Sequence, residues 1–183
     1  MRPALCAAAL VLVCLLAAES AAAAVPYQQD WKRAAKKAHF SAVPAPGVLA
    51  NFKVAPAPFG LAPIDAVYQV FHTKACPRYV HRFVQGNFAR SRDRASLTVS
   101  FTGVQRSKSC QAPFRRPSGP RVGLVSALGT VMGLYRDKFG SGVSYATIAS
   151  IGGGRLYLQL VYRTNRGADE ATRIVEGLRW VRR

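Results

Sequence analysis

Between residues 64 and 163, apolar and polar positions alternate in short runs, and turn signals close most of them. Such alternation sends successive side chains to opposite faces of an extended strand and makes one face apolar. Strands are predicted at residues 66–73, 79–86, 95–103, 122–128 and 131–135, and on both sides of three consecutive glycines at 152–154. The clearest is "SLTVSF" at 96–101, where Leu97, Val99 and Phe101 share a face. Near the C-terminus the period changes. In "NRGADEATRIVEGLRWV", Ala171, Ile174, Val175 and Leu178 follow the i, i+3, i+4, i+7 spacing of a helical stripe. Asp169 and Glu170 fall in its first turn, where carboxylates suit the helix dipole. Gly177 weakens its end, leaving room for a final strand at 179–181. Short strands with close turns predict an antiparallel meander, and the helix supplies the cover that one face requires. The predicted class is α+β: an antiparallel β-meander sheet with a C-terminal helix packed on one face and one disulfide.

Ahead of the sheet the pattern is different. Residues 1–24 carry Arg2, an apolar run at 4–18 and Ala22-Ala23-Ala24, the three parts of a cleavable export signal. The run is short for a membrane span. Residues 25–63 form a basic helix followed by a proline-rich extended segment. In "YQQDWKRAAKKAHF" at 27–40, Trp31, Ala34, Ala35 and Ala38 share one face, while Lys32, Arg33, Lys36 and Lys37 crowd the other. Pro44, Pro46, Pro56, Pro58 and Pro63 follow, with room for one edge strand near residues 52–55. Residues 64–183 make a single α+β domain.

The stretch "SIGGGRLYLQLV" at 150–161 raises a choice between a phosphate-binding loop and a turn. A P-loop needs Lys and Ser/Thr after its last glycine, whereas Gly154 is followed by Arg155 and Leu156. A dinucleotide fingerprint needs a helix next, whereas "RLYLQLVY" reads as a strand. The glycines are therefore read as a hairpin turn, and no nucleotide is expected.

The full chain of 183 residues has 26 Lys and Arg against 8 Asp and Glu, a net charge of +18 that survives loss of Arg2 and Glu19 with the leader. A surface this positive attracts anionic polymers or an anionic membrane surface. Two groups of cations stand out. Arg90, Arg92 and Arg94 occupy a turn, and Arg106, Lys108, Arg115 and Arg116 occupy a long loop. After the leader, two cysteines remain, Cys76 and Cys110, and export favours their pairing. In a meander, alternate loops share an end of the sheet, so both cysteines are expected at one end, with the 90–94 turn at the other. Closing such a loop of about 35 residues is worth roughly 3–4 kcal/mol.

Catalytic chemistry finds little material. Asp93 lies between Arg92 and Arg94 and is expected to be solvated; Asp65 and Asp137 stand alone; no carboxylate pair converges. No G-x-S-x-G elbow occurs. A hairpin centred between Cys76 and Pro77 would set His72 opposite His81, about 5 Å apart, where two imidazoles can share a metal. The leading expectation is an exported periplasmic, envelope or secreted interaction module without catalytic groups or cofactor. It meets anionic partners, with a protein partner in the envelope as a further possibility. Two alternatives stay open: a small metal-binding or hydrolytic envelope protein using His72 and His81, and a purely structural envelope subunit whose charge does no work.

Overall fold

The computed structural model describes residues 24–56, 62–72, 79–103, 117–163 and 167–183. The leader, Cys76 and Cys110 with their expected disulfide, and Arg106, Lys108, Arg115 and Arg116 lie outside the described residues, apart from Ala24 at the leader's end.

The first helix, α1 (Gln28–Lys37), buries Trp31, Ala34 and Ala35 and turns its lysines outward, as its stripe predicts. It ends in a Schellman motif: the His39 N–H donates to the Lys36 carbonyl (3.1 Å), and the Phe40 N–H to that of Ala35 (2.9 Å). His39 takes the left-handed conformation, φ 56°, that this motif demands. The chain then enters β1 (Ala42–Pro46), and a two-residue strand β2 (Lys53–Val54) follows. Next come β3 (Ile64–Phe71), β4 (Tyr79–Arg90), β5 (Ala95–Gly103), β6 (Arg121–Ala127), β7 (Thr130–Phe139), β8 (Gly142–Ile151) and β9 (Gly154–Tyr162). Helix α2 (Ala168–Glu176) and strand β10 (Leu178–Arg182) close the chain.

Strands β2 to β9 make one antiparallel sheet in the order β4, β5, β9, β8, β7, β6, with β3 and β2 pairing successive stretches of β4. This corrects the simple meander. Strands β3–β5 and β6–β9 are each a meander, but β5 pairs with β9 and not with β6. The connection after Gly103 must therefore reach the far edge of the sheet and its opposite end. The expected placement of the loop after β5 beside the β3–β4 turn lies outside the described residues.

One face of the sheet is covered by a layer of three parts. Helix α1 packs on β3, α2 packs on β6 and β8, and the antiparallel ribbon β1–β10 crosses β5 between them. Pro44 and Pro46 are tolerated in β1 because the ribbon leaves one of its edges unpaired. Trp31, Phe40, Val43 and Phe52 join the same apolar cluster as Leu97, Phe101, Leu158 and Ile174. Gly152 (φ 52°) and Gly153 (φ 74°) form the two-residue turn between β8 and β9, both left-handed as such hairpins require. Gly86 has the other special role. A Cβ there would stand 2.5 Å from the Trp31 ring, so its bare backbone is the seat on which α1 docks.

Candidate functional site

The end of the sheet formed by the β4–β5 turn, the β7–β8 turn, the finish of β9 and the start of α2 gathers charged groups from distant parts of the chain. Alternation along β4 puts Val84, Phe88 and Arg90 on the covered face. Arg90 is therefore a buried cation, which requires partners. Its Nε and Nη2 donate to the two oxygens of Asp93 (2.9 and 2.6 Å), and its Nη1 and Nη2 to those of Glu170 (2.6 and 2.9 Å). Nη1 also donates to the Ala50 carbonyl at 2.8 Å, so all five N–H groups of the fork find acceptors. The guanidinium carbon lies 4.4 Å over the Phe52 ring. Hydrogen bonds to Glu170 first, then to Asp93, push the guanidinium pKa still higher, so Arg90 stays charged. Tyr162 donates its hydroxyl to Glu170 at 2.6 Å. Burial, then this bond, raises the pKa of its phenol, which keeps the donor proton in place.

This cluster ties β4, β9, α2 and the turn at 49–52 into one unit. In that turn Ala50 (φ 43°) and Asn51 (φ 68°) are both left-handed, a geometry that Asn tolerates but that is costly for Ala. The Arg90 bond to the Ala50 carbonyl holds it. Arg90 thus leaves the group of surface cations, and Asp93, only 6% exposed, is not solvated. Both corrections have one cause: β4 runs on to Arg90, and its pleat points that residue inward.

Arg92 and Arg94 are exposed on the short 3₁₀ turn that follows. Lys53 and Arg163, which the sequence pattern did not single out, join them from β2 and from the residue after β9. None of the four is ion-paired among the described residues. Two clefts open on either side of the turn. One, of about 670 Å³, is lined by Asn51, Lys53, Arg92 and Glu170 among others. The other, of about 530 Å³, is lined by Ser91, Arg94, Ser96, Phe139, Ser141 and Arg163 among others. Arg90 forms a shared wall, and with Asp93 and Glu170 it sums to one negative charge beneath four cations.

The expected register of His72 opposite His81 is not the one observed. Gln69, not His72, lies opposite His81, because the β3–β4 hairpin is centred further toward the N-terminus than expected. His72 is three positions past Gln69, an odd offset that alternates faces in an extended chain. His81 instead lies 5.3 Å from the Phe83 ring. Among the described residues no group of three or more His, Cys, Asp and Glu side chains is placed to hold a metal. The two lone carboxylates have partners. Asp65 accepts from Lys37 Nζ at 2.7 Å. Partial burial opposes its ionisation, but the bonds from Lys37 and the Ala66 N–H outweigh it and hold its pKa below the ordinary value. Asp137 accepts from Ser118 Oγ at 2.5 Å. Among the described residues no helix is long and apolar enough to cross a membrane. No family model matches the chain, and no curated protein or solved structure matches it either.

Proposed function

We propose that this protein is an exported, non-catalytic binding module that meets anionic partners through the basic end of its sheet. The observation that carries the reading is the set of four cations, Lys53, Arg92, Arg94 and Arg163, without an ion pair among the described residues, on two clefts that share a rigid floor. A fixed floor places the backbone of these positions before binding, so that only the side chains remain to be ordered, which favours affinity. The second expected group, Arg106, Lys108, Arg115 and Arg116, belongs to the same reading. So do cleavage after Ala24 and the Cys76–Cys110 bridge. An intact mass of protein from its native host, before and after reduction, tests the last two together. The expected species begins at Val25 and gains two hydrogens on reduction; a species retaining Met1 with free thiols removes the export reading.

Binding is tested by retention on heparin or duplex DNA. Counterion release makes retention fall steeply with salt. Replacing Lys53, Arg92 and Arg163 by Ser and Arg94 by Asn should lower the salt needed for elution. For DNA, each lost phosphate contact should reduce the log–log salt slope by about 1. Asn is chosen because residue 94 has φ 51°, a conformation Asn tolerates. These side chains are exposed, so each change should cost no more than about 0.5 kcal/mol of stability. Arg115→Ser with Arg116→Ser tests the other group. Retention that ignores salt, or is unchanged by both sets, leaves the structural-subunit reading standing and removes this one.

A further inference from the structure

Phe139 is 58% exposed at the end of β7, inside the cleft that also holds Arg94, Arg163, Ser91, Ser96 and Ser141. A ring that shares a cleft with two guanidinium groups can carry a cation on its face. Here neither arginine stacks on it among the described residues, unlike Arg82 on Phe40 and Arg90 on Phe52. The ring is held out by its turn. Phe139 pairs with Gly142 across Gly140 and Ser141. Gly142 is pressed so closely on the Tyr162 carbonyl that a Cβ there would be 1.9 Å away. Tyr162 in turn is locked to Glu170. The backbone positions that carry the ring, the two cations and the three hydroxyls are thus brought to one cleft.

From this juxtaposition we infer that the cleft binds a phosphate ester carried on an apolar group, the phosphate meeting Arg94, Arg163 and the serine hydroxyls and the apolar group lying on Phe139. The inference rests on the proposal that this end of the sheet receives anions, and it adds the class of ligand. A bare anion uses only the cations and hydroxyls; the ring distinguishes an ester from inorganic phosphate.

The experiment titrates the folded protein with inorganic phosphate and with phenyl phosphate. Phenyl phosphate should bind about fivefold more tightly, the size expected of one aromatic contact. Phe139→Ala should abolish that preference while leaving phosphate binding in place. Arg94→Asn with Arg163→Ser should weaken both probes. Co-sedimentation with phosphatidylglycerol vesicles identifies the source: a decrease on Phe139→Ala assigns the ester to a lipid headgroup, and no change, where the variant has lost the phenyl preference of the unaltered protein, assigns it to a free ester. Equal affinity for the two probes, or a preference that persists in Phe139→Ala, overturns the inference. Heparin retention of the unaltered protein separates the two readings. If salt-sensitive retention holds while the phenyl preference is absent, only this inference falls; if both are absent, the anion reading falls with it.

Discussion

Arg90→Leu should destabilise the protein by about 3–5 kcal/mol, the range for removing one member of a buried ion cluster. The substitution conserves most of the buried volume, so little of the loss comes from packing. The loss arises because Asp93 and Glu170, 6% and 14% exposed, are left without their shared cation. The Ala50 carbonyl also loses its donor, which frees the left-handed turn at Ala50 and Asn51. At roughly 2–4 °C per kcal/mol for a chain of this size, the thermal midpoint should fall by about 10 °C. Adding Asp93→Asn and Glu170→Gln should recover a good part of the loss, because neutral amides are cheaper to leave buried than carboxylates. Circular-dichroism melts of the single and triple variants check both statements. A single-variant loss below about 1 kcal/mol would show that the cluster does not hold this end together. Arg92→Ser, two residues away but exposed, should stay within about 0.5 kcal/mol.

The second large effect is expected at Trp31. It is the one large side chain on the buried face of α1, whose other inward residues, Ala34, Ala35 and Ala38, are small. Its ring is 1% exposed, sits on Gly86 and lies 6.4 Å from Phe88. Trp31→Ala should therefore cost about 3–5 kcal/mol, the usual range for emptying an aromatic site. Trp31→Phe should cost much less. The indole Nε1 is buried without a hydrogen-bond partner among the described residues, so deleting it removes an unpaired donor along with some contact area. Urea titrations of the two variants decide. Equal losses, or a Trp31→Ala loss under about 1 kcal/mol, would mean that α1 is not docked through this ring.

What the sequence by itself determined is local. The strand at residues 95–103, the stripes of α1 and α2 and the turn at Gly152–Gly153 follow from side-chain period and from the φ values a residue can adopt. Those are properties of neighbours along the chain. Charge is equally legible as a total, but its placement is not. "RSRDR" at 90–94 reads as three equivalent arginines. Only the length of β4 decides that Arg90 faces the core while Arg92 and Arg94 face water. Carrying the alternation of Val84 and Phe88 two residues further would have exposed this, since an inward arginine demands carboxylates. Its partner Glu170 lies 80 residues away and no periodicity points to it. Lys53 and Arg163 reach the same clefts by the same route. Strand order and register were decided by tertiary structure too. Strand β5 chooses β9 over β6, and Gln69 over His72 comes to face His81, because pairing is settled by which faces pack under α1, α2 and the β1–β10 ribbon. A pattern of period two is the same for every partner a strand can take, so only the packed molecule selects one.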